Sequence, residues 1–201
     1  MWLCSMAVQA YAWPSSLLAG AQKEEALSDS VRSALSAAIT EGGTPEVTFA
    51  NTEQRMQFLR WLSAHSAALQ SRINDYNVRT HFLRTLWYET KRAGLEPALV
   101  LGLIQIESNF RKYAVSTAGA RGYMQVMPFW IRLLGNGQTQ HLFHTQTNLR
   151  FGCVILRHYL QRENSDLFMA LGRYNGSRGQ EPYPSAVLKA TQFWRNLHAL
   201  I

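Results

Sequence analysis

A helix that opens at Pro97 carries Val100, Leu103 and Ile104 at the i, i+3 and i+4 positions of one face, and the i+7 position of that face is Glu107. A carboxylate on an apolar stripe is costly if it stays charged, so the group tends to hold its proton. The negative end of the helix dipole lies close by and disfavours ionisation further. Both effects suit a carboxylic acid that donates a proton to a leaving oxygen near neutral pH. Helix position alone leaves a second reading open, in which Glu107 caps the helix or pairs with Arg111 at i+4 on the surface.

The residues beyond Glu107 narrow the choice. Ser108-Asn109-Phe110 comes first, then Ala114, Ser116 and Ala118-Gly119-Ala120, then Gly122-Tyr123-Met124-Gln125-Val126-Met127-Pro128, and much later Arg173-Tyr174-Asn175-Gly176. In this order and spacing the blocks resemble the catalytic domain of the soluble lytic transglycosylases, a goose-lysozyme-like family, over about Leu95–Val187. The resemblance implies that Glu107 is the general acid and later the general base, and that Tyr174 hydrogen-bonds near it and orients it. It further implies that Ser108, Ser116, Gln125 and Asn175 contact the sugar or its N-acetyl group. Met124 and Met127 would then line the groove, and Tyr123, where the family usually carries Leu, would add a face for sugar stacking. Each has a plainer alternative: the methionines and Tyr174 as core residues, the serines as turn or cap residues, and Gln125 and Asn175 as partners of backbone groups.

Ordinary glycosidases use two carboxylates. After Glu107 the chain holds no Asp or Glu until Glu163, with only Asp166 and Glu181 beyond it, and the first two read as a solvated junction between helices. Glu96 sits at the far end of the Glu107 helix, about 16 Å away at ~1.5 Å per residue, and Glu89 in an adjacent helix is an imperfect second acid. The scarcity fits a reaction in which Glu107 serves both steps. The family resemblance supplies the rest: cleavage of the β-1,4 bond between N-acetylmuramic acid and N-acetylglucosamine, closing a 1,6-anhydro ring. A hydrolysing muramidase of the same fold, and a non-catalytic peptidoglycan-binding component of an envelope-spanning machine, are the rivals.

The elements that must position these residues read as helices throughout. Candidates are Lys23–Thr40, a helix capped by Asn51 and Gln54 with Met56, Leu59 and Leu62 at helical spacing, and Tyr76–Ala93 with Val78, Phe82, Leu86 and Trp87. Gly94 stops that helix, and Glu96-Pro97 opens the next. Further helices are expected at Tyr123–Leu134, stopped by Gly135, and at Asn148–Asn164, Asp166–Arg173 and Pro184–Leu200. No stretch alternates with period two, so the fold class is all-α. Residues 1–22 read as an export signal or a disordered segment, 23–50 as a helical arm and linker ending in the Gly42-Gly43-Thr44-Pro45 turn, and 51–201 as the lysozyme-like catalytic domain.

The chain has 201 residues, 47% hydrophobic and 16% charged, which describes a globular protein. Its formal charge of +7 and pI of about 9.7 favour a polyanionic partner. The arginines are scattered and no recognition helix collects them, which argues against nucleic acid and suits glycan strands bearing peptide carboxylates. Ala10-Tyr11-Ala12 is a small-x-small pattern suited to signal cleavage, although no basic residue precedes Lys23. Export to the periplasm is therefore expected, with no transmembrane segment and with envelope machinery as a candidate partner. Cys4 and Cys153 match no zinc or redox spacing, Cys153 reads as a buried helix residue, and the His141-x-x-His144 pair lacks further ligands, so no metal or cofactor is expected.

Overall fold

The computed structural model describes residues 22–24, 28–40, 46–133 and 138–199. The export-signal pattern at Ala10–Ala12, Cys4, the Gly42–Pro45 turn and the Gly135 stop lie outside the described residues. Within them the chain is all-α: α1 Asp29–Thr40, α2 Thr52–Leu69, α3 Tyr76–Arg92, α4 Pro97–Ser108, α5 Phe129–Arg132, α6 Thr145–Arg162, α7 Leu167–Asn175 and α8 Pro182–Ala199. A 3-10 turn at Thr139–Phe143 precedes α6. β pairing among the described residues amounts to two isolated bridges, Val115 to Arg121 and Arg121 to Val126. None of the helices among the described residues is long and apolar enough to cross a membrane.

α4 is the buried axis. Pro97 occupies its first turn, where the missing N–H costs nothing, and every residue from Ala98 to Ile104 is buried. The helix stops at Asn109, whose φ of 48° is left-handed, and Phe110 continues in that region at 62°. α4 packs most extensively against α8. Gly102 permits that approach, because a Cβ there would meet the Thr191 backbone nitrogen at 2.6 Å.

The outer helices keep their expected order but shift their faces. In α2 the buried stripe is Phe58, Trp61, Leu62, His65 and Leu69, while Met56 and Leu59 are exposed. In α3 Phe82 and Leu86 are buried, whereas Val78 faces out. Trp61, Trp87, Phe58 and Phe49 form one aromatic cluster, and His65 stacks between Trp61 and Trp194 to tie α2 to α8. The helix expected at Tyr123–Leu134 shrinks to the single turn Phe129–Arg132. Gln125 adopts a left-handed φ of 47°, which a continuous helix through this stretch cannot accommodate.

Two charged clusters join helices. Glu89 of α3 and Arg150 of α6 are both 1% exposed and meet in a two-pronged ion pair at 2.8 and 3.0 Å. Burial nonetheless holds the Glu89 carboxyl above its usual range, against the pull of Arg150. Removing one partner strands the other charge, so Arg150→Met is expected to cost about 3–5 kcal/mol, and Glu89→Leu with Arg150→Met much less. Chemical denaturation of the two variants checks this; equal losses would contradict it.

Glu163 and Asp166 are not simply a solvated junction. The Glu163 side chain is enclosed, and its carboxylate takes Arg173 at 2.6 Å and Arg178 at 2.8 and 2.9 Å. The Arg178 bond, with Arg173 behind it, pulls its pKa down to about 2. Asp166 caps α7 by accepting the Met169 N–H at 3.0 Å.

Candidate active site

Glu107 sits one residue before the end of α4, with a side chain that is neither sealed in the core nor free in solvent. The phenol of Tyr183, in the first turn of α8, donates a 2.5 Å hydrogen bond to its Oε1. Tyr183 is 2% exposed, so this contact lies inside the protein. Burial pushes the pKa of Glu107 up to about 8, and the Tyr183 bond, which favours the charged form, only partly opposes it. Burial and the neighbouring acid drive the phenol well above its ordinary pKa, so it remains a donor. With Oε1 accepting from Tyr183, Oε2 is the oxygen left to carry the acid proton. The arrangement can therefore deliver a proton at neutral pH and hold the resulting carboxylate with a strong donor behind it.

The expected orienting role of Tyr174 is not a direct one. Its hydroxyl donates to the Met124 carbonyl at 2.8 Å, and the residue is 1% exposed. It lies within electrostatic reach of Glu107, since that carboxyl helps to raise its pKa after burial has done so. Tyr174 thus braces the Met124 turn, while Tyr183 grips the acid.

The segment from Phe110 to Pro128 folds as a stapled loop, which explains where its polar residues went. Ser116 closes a local turn: its N–H donates to the Ala120 carbonyl at 3.0 Å and its Oγ accepts from the Ala120 N–H at 3.1 Å. Ser108, expected to touch sugar, is 1% exposed and donates to the Tyr123 carbonyl at 2.7 Å. Tyr123 offers no open stacking face, because its ring is 2% exposed and packs on Phe82 with centroids 4.7 Å apart. Met124 is a core residue: it fills the space over Gly152 of α6, where an added Cβ would meet its sulfur.

Gln125 spends its side-chain amide on the loop itself, donating to the carbonyls of Ala114 at 3.2 Å and Gly122 at 2.9 Å. Asn175, at the end of α7, is buried as well. Among the expected sugar-contacting residues, Ser116 and Met127 retain partial exposure. The motif's polar groups serve mainly to hold the loop's shape against α4 and α6, and satisfying buried polar groups is what such a turn demands.

Three residues carry more than the motif indicated. Asn148 of α6 accepts from the Met124 N–H and donates to the carbonyls of Arg121 and Leu142, each at 2.8 Å, and so clamps the loop to the core. Tyr183 reads in sequence as the residue that borders the cleft or starts the last helix, and the prolines on either side of it mark only a helix start. Gln22 had no signal at all. Glu89, the one nearby candidate for a second acid, has both oxygens on Arg150 and faces a cavity of about 220 Å³ beneath α1, with Ser30, Val31, Ala34 and Cys153 in its wall. The His141 and His144 rings lie against one another, centroids 5.3 Å apart.

Comparison with known proteins bears directly on this stretch. The family model described as the Transglycosylase SLT domain matches residues 86–186, which takes in Glu107, the stapled loop, Tyr174 and Tyr183. The membrane-bound lytic murein transglycosylase C of Mannheimia succiniciproducens is 40% identical over 62 residues, covering 30% of this chain and 17% of that protein. The transglycosylase of Enterobacteria phage PRD1 is 33% identical over 115 residues, covering 51% of this chain and 42% of its own. A solved structure of an inactive mutant of the lytic transglycosylase Slt from Pseudomonas aeruginosa aligns with a TM-score of 0.44 and 20% identity, over 71% of this chain and 28% of that one. The chain spans less than half the length of these relatives. With half of its residues matched by the family model, and with the Glu107 helix and its loop inside that match, the chain belongs to the SLT transglycosylase domain family.

Proposed function

We propose that this chain is a peptidoglycan lytic transglycosylase, exported to the periplasm where its substrate lies, with Glu107 as the single acid and base. The observation that carries the reading is the paired arrangement of Glu107 and Tyr183: a carboxyl raised to about 8 by burial and gripped on one oxygen by a phenol. Family membership and relatives that are lytic murein transglycosylases support the substrate class.

Glu107 donates its proton to the bridging oxygen as the bond from C1 of N-acetylmuramic acid breaks. The carbonyl of that sugar's N-acetyl group stabilises the charge that develops at C1. The C6 hydroxyl oxygen of the same sugar then bonds to C1, and its proton returns to Glu107. No water enters, so the products are isomeric with the strand that was cut. The commitment of Glu89 to Arg150 supports a reaction that needs no second carboxylate.

Digestion of purified peptidoglycan and mass spectrometry of the fragments test the reading. Muramoyl ends lighter by one water than hydrolysis products are expected. Reducing ends instead would make the protein a hydrolysing muramidase.

A further inference from the structure

Gln22 lies outside any helix, seven residues ahead of the start of α1, yet it is held as tightly as a core side chain at 5% exposure. Its carboxamide is engaged at both ends by residues more than a hundred positions away. Oε1 accepts from the Met127 N–H at 3.1 Å and from the Trp130 indole N–H at 2.9 Å. Nε2 donates to the Gln125 carbonyl at 3.3 Å. The side chain also lies beside the Tyr174 phenol, and the next carbonyl along, that of Lys23, accepts from Tyr159 at 3.5 Å. The amide therefore rests against the stapled loop's last turn, beside the Tyr174 phenol that lies within electrostatic reach of Glu107.

Two donors converging on a carbonyl oxygen, with an acceptor placed for the adjoining N–H, form a cradle for an amide. An acetamido group presents the same C=O and N–H pair as the glutamine carboxamide. The partners on the loop side are backbone groups and an indole, which cannot turn away, so whatever leaves the cradle must be replaced. From these contacts we infer that Gln22 is a built-in competitor, its side chain filling in the free protein a cradle that an acetamido group of the glycan takes when that side chain withdraws. The inference rests on the proposed action on an amino-sugar polymer. It adds that the chain holds its own groove shut.

A site closed by its own side chain binds more weakly by the fraction of time it is open. In the full chain, Gln22→Ala is expected to bind N,N′,N″-triacetylchitotriose about ten-fold more tightly than wild type. The glucosamine trimer, which lacks the acetyl groups, should bind both proteins alike. In wild type, saturation with the acetylated trimer should shift the NMR resonance of the Trp130 indole N–H, which loses Gln22 as its acceptor. Equal affinity of the two proteins for the acetylated trimer overturns the competitor, as does binding to neither, or an unmoved Trp130 resonance at saturation. The indole measurement needs no variant and holds even if Gln22→Ala folds poorly. Trimer binding is read without turnover, so absence of lytic activity alongside a Gln22-dependent affinity would remove the proposed reaction and leave the competitor standing.

Discussion

Glu107→Gln is expected to lower kcat on peptidoglycan by about 10³–10⁴-fold while strand binding persists. A positioned general acid or base is typically worth about 10²–10⁴, and the loss falls at the upper end because one carboxyl serves both halves of the reaction. The amide keeps a carbonyl oxygen for the Tyr183 phenol, so the 2.5 Å contact has a successor and the fold is retained. Stability provides an independent reading. The folded pKa of Glu107, about 8, lies above the unfolded value of roughly 4.3, so between these the native state binds a proton that the unfolded chain has released. Wild type therefore loses stability through this group as pH rises across that window. The glutamine variant does not, and should melt like wild type near pH 4 but at a higher temperature near pH 8. Steady-state kinetics and melting curves at the two pH values check both parts. A variant with near-normal turnover would remove Glu107 from the chemistry.

The shielding of Glu107 is legible in the sequence because it depends on period and polarity, and its candidacy as the acid comes from the motif blocks that follow it. Val100, Leu103 and Ile104 define a stripe, and a carboxyl that falls on it must be shielded. Ends of elements and the sides that loop residues face were less legible, for reasons that differ from place to place. In α2 several apolar residues share each turn, so sequence spacing could not tell that Phe58 and Trp61 go in while Met56 and Leu59 stay out. In the loop after α4, polar residues of a sugar-binding motif and polar residues that staple a turn have the same types. Ser108 and Gln125 became staples because Tyr123, Ala114 and Gly122 present carbonyls that a buried turn leaves without strand or helix partners. The motif thus brings its members around one loop but does not say which of them meet solvent.

The choice between two tyrosines shows the same limit. Tyr174 and Tyr183 stand nine positions apart, on different helices, and both approach one acid. Which hydroxyl reaches it depends on how α7 and α8 pack, and the relevant bonds span 50 residues to Met124 and 76 to Glu107. No local spacing encodes that. Gln22, whose partners lie 103 to 108 residues away, is a more extreme case of the same kind.

Replacing Tyr183 by Phe separates these roles. The phenol fills its buried site almost entirely with ring, so phenylalanine leaves the packing intact and removes one donor. A hydrogen bond to a charged group is worth about 1.5–3 kcal/mol, and each 1.36 kcal/mol is a factor of ten in rate or one unit of pKa. The Tyr183 bond holds the Glu107 pKa down, so its loss should raise that value further above about 8. Protonated Glu107 then survives to higher pH, and the alkaline fall of kcat/KM should move up by about one to two units. At neutral pH kcat should drop by about 10- to 100-fold, because the carboxylate formed after proton donation has lost its stabilising donor. Tyr174→Phe provides the contrast. Its hydroxyl serves the Met124 carbonyl, so that variant should lose about 1–3 kcal/mol of folding stability and leave the alkaline limb where it was. The pair of pH–rate profiles decides the matter. If the limb moves with Tyr174 and not with Tyr183, the grip on the acid belongs to α7, and the assignment of the orienting phenol reverses.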